Sequence, residues 1–183
     1  MSTGTDAPTT ILTATAADIR YIDALQKKHS LQLGFLPRPA IEWYADAGCI
    51  RLATDNADPV GYVLSRPLLK WCPLIRPIIQ AAVQMDARNR EHGTNLVQSV
   101  VDAAQAAGQL AVQASCVEGN DANEFWRALG FIAIGRRAPL NQRKREIIVW
   151  RKILTRGKFP AILAEMPHRS GWKAAKQTRA DGR

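Results

Sequence analysis

The sequence has few cysteines and no long apolar segment. Its three cysteines, Cys49, Cys72 and Cys116, are widely spaced, which is neither a disulfide framework nor a zinc-binding pattern and favours a reducing cytosol. No run approaches the roughly 18 apolar residues of a membrane-spanning helix. The first ten residues have neither the positive charge nor the apolar stretch of a secretory signal. We therefore expect a cytoplasmic protein without a membrane contact or a bound metal.

Internal repeats and low-complexity tracts are also missing from the sequence. The chain has 183 residues, of which 46% are hydrophobic, and this fits one globular domain with a sizeable core rather than a fully disordered chain. The small polar residues 1–10 predict a disordered N-terminus. We expect the folded domain over residues 11–152 and a basic tail over residues 153–183.

Acidic residues are scarce in the last quarter of the chain. Residues 1–135 carry 11 basic and 13 acidic residues, a net charge of −2, whereas residues 136–183 carry 14 basic and 3 acidic residues, a net charge of +11. Together they give the overall charge of +9. The asymmetry indicates either a polyanionic partner or a solvated tail that aids solubility. The candidates for contacts with a nucleic-acid backbone are Arg136, Arg137, Arg143 and Arg145.

The spacing of apolar residues predicts a mixed sheet with helices packed on it. Ile19, Ile22, Leu25 and Gln26 form a helical stripe that runs to about His29. The other predicted elements are strands at 11–14, 49–54, 60–65, 78–85, 110–116, 132–135 and 147–150 and helices at 40–47, 93–108 and 121–128. Residues 66–77, with three prolines, are expected to be a loop or an interrupted strand. This order predicts the α+β class, with α/β as the alternative.

The most informative stretch is the loop between the strand at 78–85 and the helix that starts at Gly93. A helix N-terminus offers unpaired N–H groups and a positive dipole end to phosphate oxygens. Gly93 lets the backbone approach an anion, and Arg88 and Arg90 add positive charge. The loop is neither a Walker sequence nor a three-glycine dinucleotide fingerprint. The residues by themselves therefore leave open a pyrophosphate-binding loop or an ordinary capped helix.

Two segments resemble the GNAT superfamily of acyl-CoA N-acyltransferases. Residues 90–95, Arg-Glu-His-Gly-Thr-Asn, are similar to its Arg/Gln-x-x-Gly-x-Gly/Ala signature. The segment from Asn120 to Phe131 is similar to the one in which an asparagine and an aromatic residue precede Leu-Gly-Phe. The two occur in the family's order, separated by one helix and one strand. The resemblance spans about residues 11–152 and implies a mixed, mostly antiparallel sheet with helices on both faces.

The resemblance implies that two strands splay apart and that acetyl-CoA, or another acyl-CoA, enters the gap. It implies that backbone groups of Val83 and Met85 hold the pantetheine arm and that Asn123 bonds to it. Phe125 and Trp126 are implied to pack near the thiol end. The residues implied to hold the pyrophosphate are Arg88, Arg90, Glu91, His92, Gly93, Thr94 and Asn95.

Two positions depart from the family pattern. Asn95 stands where the signature has glycine or alanine. Trp126 stands where many members carry the tyrosine that protonates the leaving thiolate, and an indole N–H does not act as an acid at neutral pH. Another group then protonates the thiolate, the thiolate leaves unaided, or the reaction differs.

Amine acylation also needs a base that deprotonates an ammonium group. Glu118 follows the strand that would border the gap and is the first candidate, and the others are Asp86, Glu124 and His29. Tyr44 and Tyr62 are candidate acids. Each of these residues also fits a role without catalytic function, because loop carboxylates are usually solvated and tyrosines usually pack in the core or at its rim.

The resemblance further implies that the first helix–loop–helix segment forms the acceptor wall. His29, Phe35 and Arg38 lie in that segment, and Arg38 suits an anionic group on the acceptor. A surface helix end with favourable cations is the alternative for His29 and its neighbours.

The sequence therefore favours an acyl-CoA-dependent N-acyltransferase that acts by direct attack of a primary amine, on a small molecule or a macromolecule. A second hypothesis keeps the fold and changes the substrate to a DNA base that the enzyme extrudes, as in an enzyme similar to the phage Mom proteins. It rests on the basic last quarter and the missing tyrosine. A third is a degenerate domain of this fold that binds nucleic acid. We expect a monomer or a homodimer.

Overall fold

The structure, a computed structural model, describes residues 9–70, 72–88, 90–138, 145–155 and 172–174, the last three by their backbone. The strands are β1 (Thr10–Thr13), β2 (Ile50–Asp55), β3 (Asp58–Ser65), β4 (Ile75–Val83), β5 (Ala111–Val117), β6 (Ile132–Arg137), β7 (Ile147–Ile153) and β8 (Trp172–Ala174). The helices are α1 (Ile19–Lys28), α2 (Ser30–Leu33), α3 (Arg38–Asp46), α4 (His92–Ala106) and α5 (Ala122–Ala128).

The eight strands form one sheet in the order β1-β2-β3-β4-β5-β7-β6-β8. Its neighbouring pairs are antiparallel, except that β4 and β5 run parallel. A parallel pair needs a crossover connection, and α4 provides it between β4 and β5. The sheet is therefore the mixed, mostly antiparallel one that the sequence predicts, and the α+β class is confirmed.

Helices cover both faces of the sheet, and each face has its own apolar core. On one face, residues of α4 such as Leu96 and Val100 pack with Trp126 of α5 against strand residues such as Val63 and Val112. On the other face, Ile22 of α1 and Ile41 of α3 pack against Tyr62 and Leu64 of β3. Strands β2 to β4 carry residues of both cores, so they join the two layers.

Local sequence explains several of these elements. The predicted stripe of α1 is confirmed, because Ile19, Ile22, Leu25 and Gln26 are its buried residues. The hydroxyl and the backbone N–H of Thr15 both donate to the Asp18 carboxylate in a capping box that starts a 3-10 turn, and α1 follows that turn.

Several predicted boundaries differ from the structure. Helix α2 is an additional short turn, and α3 begins at Arg38, two residues before the predicted start at residue 40. Strand β4 begins at Ile75, inside the predicted loop, with Pro77 within it. Proline cannot donate to a sheet ladder, but its carbonyl can accept, and here it accepts the N–H of Arg66. The strand also ends at Val83, so Met85 begins a 3-10 turn instead.

The edge of the sheet includes a strand from the segment expected to be a tail. Residues 172–174 form β8 and pair with β6, and β7 continues to Ile153. In the part of the chain that the structure describes, no helix has the length and apolarity needed to cross a membrane.

Candidate active site

A gap opens in the sheet between β4 and β5. The two strands pair only from Ile75 to Pro77 on β4 and from Ala111 to Gln113 on β5. Beyond that point, the register of β4 with β3 jumps past Ile79. An extra residue of this kind is a β-bulge, which bends its strand away from the ladder. The splay that the resemblance implied is therefore present, with a bulge as its local cause.

The β4 edge of the gap beyond Pro77 carries backbone groups that no neighbouring strand pairs. The N–H of Gln84 donates to the carbonyl of Val60 on β3 at 2.8 Å. Because backbone groups alternate in direction along a strand, Ala81 and Val83 turn theirs toward the gap. An extended ligand that carries amide groups can therefore pair with this edge as an added strand. Val83 lies on this edge, and its implied contact with a pantetheine arm stays a prediction. Met85 lies beyond the strand with its side chain exposed.

The β5 edge is closed near its end by Asn123. This buried side chain donates from Nδ2 to the carbonyls of Val117 at 2.9 Å and Asn120 at 2.8 Å. Its Oδ1 accepts the Trp150 indole N–H at 2.9 Å. Both amide protons of Asn123 are thus engaged, so the structure gives it the task of tying α5 to β5 and β7 and not of donating to a pantetheine arm.

The N-terminus of α4 lies where β4 ends. Glu91, the residue before the helix, has a left-handed backbone with φ 61°, which is unusual for a residue other than glycine. By helix geometry the N–H groups of His92, Gly93 and Thr94 have no partner inside the helix. The N–H of Asn95 already donates to the Glu91 carbonyl at 2.9 Å. The N–H groups without a partner inside the helix thus end at Thr94, whereas the predicted pyrophosphate-binding range continues to Asn95.

Packing around position 93 also favours glycine, apart from the predicted approach of an anion. A Cβ atom at this position would lie 3.3 Å from two ring carbons of Phe125 and 3.7 Å from the Val83 side chain. Helix α5 thus reaches across to the start of α4 and the end of β4. The missing side chain lets these three elements meet beside the gap.

Charged groups around the loop are shared with the β2–β3 hairpin. Arg90 Nη1 lies 3.5 Å from Asp55 Oδ2, and Arg88 Nε donates to the Val83 carbonyl at 3.4 Å. The His92 ring is buried, with Nδ1 2.8 Å from Thr9 Oγ1 and Nε2 4.0 Å from Asp55 Oδ2. His92 therefore offers its backbone N–H to the site, while its side chain faces the hairpin.

The three candidate catalytic residues lie on different elements. Asp86 lines a cavity of about 280 Å³, together with Asp55, Asp58 and Arg90. Glu118 follows β5, and its carboxylate accepts a hydrogen bond from Arg136. Tyr44 is in α3, where its ring packs edge-on against Trp43 with centroids 5.0 Å apart.

Trp126 is a core residue in this structure. It is 6% exposed, and its ring packs edge-on between Phe125 and Phe131, at centroid distances of 5.2 and 5.1 Å. The aromatic residue that meets the gap-side elements is the preceding one, Phe125. At the motif position where many family members carry a tyrosine, this chain therefore has a tryptophan that packs among apolar side chains.

The expected acceptor residues lie on the face opposite α4. Burial lowers the pKa of His29, and the cations of Arg88 and Lys28 lower it further, so the end of α1 is close to the loop that follows β4. Phe35 is 59% exposed. Arg38 is also exposed and pairs with Glu42 at 2.9 Å along α3.

The expected nucleic-acid arginines are only partly described. Arg143 lies outside the described residues, and Arg145 is exposed. Arg136 pairs with Glu118 and also lies 3.5 Å from Glu146. Burial lowers the pKa of Arg137. A nucleic-acid surface remains a prediction.

Sequence reasoning gave no functional role to two buried polar residues, Gln26 and Gln80. Hydrogen bonds join them to Tyr62, a candidate acid whose hydroxyl donates to Gln80 inside the core. The sequence signal for this buried network was Gln26, a glutamine on the otherwise apolar stripe of α1. As for metals, the described residues contain no group of three or more His, Cys, Asp or Glu side chains that could hold one.

A mixed sheet whose parallel pair splays beside a helix N-terminus, with a glycine in the first turn of that helix, is the fold that the resemblance of the two motifs implied. A model of the acetyltransferase (GNAT) family matches residues 18–131. That range is more than half of the chain, so the chain belongs to the GNAT family, whose members are acetyltransferases.

Solved structures show the same fold. Ard1 from Thermoplasma volcanium is 16% identical and has a TM-score of 0.72, covering 81% of this chain and 99% of its own. YncA from Salmonella typhimurium, solved with its cofactor acetyl-CoA, is 16% identical, with a TM-score of 0.68 and coverages of 84% and 98%. The ribosomal-protein-alanine N-acetyltransferase from Brucella melitensis is 20% identical, with a TM-score of 0.67 and coverages of 79% and 99%. No curated protein matches the sequence.

Proposed function

We propose that this protein transfers the acyl group of acetyl-CoA, or of another acyl-CoA, to a primary amine that attacks the thioester directly. One observation carries the proposal. The edge of β4 at Ala81 and Val83, which no neighbouring strand pairs, leads to the N-terminus of α4, so an amide-containing arm and a phosphate group can bind one after the other. The solved relatives that are named as N-acetyltransferases or hold acetyl-CoA support the same cofactor.

The donor groups in the gap fit an acyl-CoA. The pantetheine arm contains two amides, and these match the backbone groups of Ala81 and Val83. The diphosphate matches the free N–H groups of His92, Gly93 and Thr94 together with the positive end of the α4 dipole. Arg88 and Arg90 add guanidinium groups at the same place. When bound, acyl-CoA supplies an acyl group that is activated as a thioester.

Within this proposal, the chain polarises the carbonyl and accepts a proton. A backbone N–H from the β4 edge is the donor to the carbonyl oxygen, a role in which fixed backbone donors are effective. Glu118 is the proposed base for the ammonium group, directly or through water, with Asp86 as the alternative. Arg136 orients the Glu118 carboxylate. Trp126 takes no part in proton transfer because it is packed in the core.

Calorimetric titration with acetyl-CoA tests the proposal. We expect saturable binding by the wild-type protein and an affinity about tenfold lower in Arg90→Ala, because a charge-assisted contact to the diphosphate is lost. Arg127→Ala is the matched control, since Arg127 is an exposed arginine of α5 that pairs with Glu124. Absence of binding by the wild-type protein at millimolar acetyl-CoA contradicts the proposal.

A further inference from the structure

A polar network lies inside the core that α1 and α3 form with the sheet. Tyr62 of β3 and Gln26 of α1 are fully buried, and Gln80 of β4 is 4% exposed. The Tyr62 hydroxyl donates to Gln80 Oε1 at 2.9 Å, and Gln80 Nε2 donates to Gln26 Oε1 at 3.4 Å. Three polar side chains thus connect two strands and a helix where apolar side chains would pack without a desolvation cost.

The network ends on the backbone of the loop that follows α2. Gln26 Nε2 donates to the Leu36 carbonyl at 2.7 Å, and Gln26 Oε1 accepts the Leu36 N–H at 3.1 Å. Gln80 Nε2 also donates to the Gly34 carbonyl at 3.4 Å. Gly34 has φ 78°, a conformation that favours glycine. Both neighbours of Phe35 are therefore held by buried side chains.

Phe35 stands between these two held residues and points outward. Its side chain is 59% exposed, although an aromatic ring of this size gains free energy when it is buried. The carbonyl of Gly34, the residue before Phe35, accepts a hydrogen bond from Gln80. Gln80 lies on β4 beyond the last β4–β5 pair and therefore beside the gap. The loop is on the face opposite α4, where an amine reaches the gap without crossing the phosphate-binding end.

We propose that Gln26 and Gln80 are positioning residues that hold Phe35 as a preformed contact for an apolar group on the amine acceptor. This inference rests on the proposed function. Because the backbone on both sides of Phe35 is held before binding, the loop loses little conformational entropy when a ligand covers the ring. Leu31, in the short helix α2 that directly precedes this loop, is also an exposed apolar side chain. The acceptor class is therefore a primary amine with an aromatic or aliphatic group near the nitrogen.

Amide hydrogen exchange tests the positioning step. In Gln26→Met the Leu36 N–H loses its side-chain acceptor, so we expect its exchange to become about tenfold faster or more. Gln109→Met is the matched control, because Gln109 is a buried glutamine that holds the carbonyls of Pro67 and Pro73 elsewhere in the fold. It leaves Leu36 exchange unchanged. Unchanged Leu36 exchange in Gln26→Met overturns the positioning role.

Thiol release from acetyl-CoA tests the acceptor class, with phenethylamine and ethanolamine as the two probes. The three protein cysteines are buried, so they add little signal. The wild-type KM should be about tenfold lower for phenethylamine than for ethanolamine. Phe35→Ala and Gln26→Met should each raise the KM for phenethylamine about tenfold, with the KM for ethanolamine and for acetyl-CoA unchanged. The double variant should be no worse than Phe35→Ala.

The outcomes separate this inference from the proposed function. A wild-type protein that does not bind acetyl-CoA overturns the proposed function. One that binds acetyl-CoA without preferring phenethylamine, or turns over neither amine, overturns the acceptor class alone. A Phe35→Ala variant with an unchanged KM for phenethylamine does the same, and because Phe35 is exposed this variant should fold even where Gln26→Met does not. Faster Leu36 exchange in Gln26→Met without a change in the KM for phenethylamine overturns the link between the positioning of the loop and acceptor binding.

Discussion

The imidazole of His29 shows how the fold changes the behaviour of one residue. Burial lowers its pKa from the ordinary value, and Arg88 and Lys28 lower it further. The unfolded chain then binds a proton more readily than the folded chain. The contribution of His29 to the unfolding free energy is therefore fully present above the ordinary histidine pKa of about 6.5. It is lost as the pH falls through that value toward the lower folded pKa.

We predict that His29→Gln removes part of the acid sensitivity of the protein. Urea unfolding at about pH 7.5 and about pH 5 should show a smaller loss of unfolding free energy in the variant than in the wild-type protein. Arg88→Gln should raise the pKa of His29, as followed by NMR of the ring protons, because one of the nearby cations is removed. Arg127→Gln is the control with a distant cation. Equal acid sensitivity of wild type and His29→Gln would contradict the prediction.

Gly93 gives a second prediction at the scale of one residue. A valine at this position brings its Cβ to 3.3 Å from the Phe125 ring and adds two methyl groups. We expect Gly93→Val to lower the unfolding free energy by about 1–3 kcal/mol through overpacking and to weaken acetyl-CoA binding. Phe125→Leu combined with Gly93→Val should cost less than the sum of the two single changes, because the smaller side chain leaves room. Additive costs in urea unfolding would refute the contact.

At the scale of elements, Asn123 decides how α5 meets the sheet. Asn123→Ala leaves the Trp150 indole N–H without its buried acceptor and removes one of two donors to the Val117 carbonyl, which keeps the Asn120 N–H. We expect a loss of about 2–4 kcal/mol in urea unfolding, since an unsatisfied buried group costs roughly 1–3 kcal/mol and a lost hydrogen bond about 1 kcal/mol. Asn120→Ala is the control, because its Oδ1 only caps the Ala122 N–H, and it should cost about 1 kcal/mol. Equal costs for the two variants would argue against the role of Asn123.

The elements themselves were largely predictable from the sequence, and the exceptions have identifiable causes. The α1 stripe and the order of strands and helices followed from apolar spacing. The start of β4 did not, because Pro77 reads as a break although its carbonyl still accepts a ladder bond from Arg66. Asn123 and Trp126 were assigned by a motif, and their partners Val117, Trp150 and Phe131 become visible only once the chain is folded.

At the scale of the whole molecule, the two cores share the central strands. We therefore predict one cooperative unfolding transition. Leu96→Ala in the α4 core and Ile22→Ala in the α1 core, both almost fully buried, should each lower the unfolding free energy by about 2–5 kcal/mol. Far-UV and near-UV circular dichroism should give the same midpoint in each variant. Two separate transitions in either variant would show that the layers unfold independently.

The sequence by itself determined the periodic elements, the α+β class and the family, because apolar spacing and the residues of a signature loop are local properties of the chain. It also determined that positive charge is concentrated in residues 136–183. Only the tertiary structure decided that β4 leaves β5 after Pro77, that the side chain of Asn123 is used inside the fold, and that Gln26 and Gln80 hold the loop around Phe35. These contacts join residues far apart in the chain, and their geometry follows from how the layers pack rather than from any local pattern.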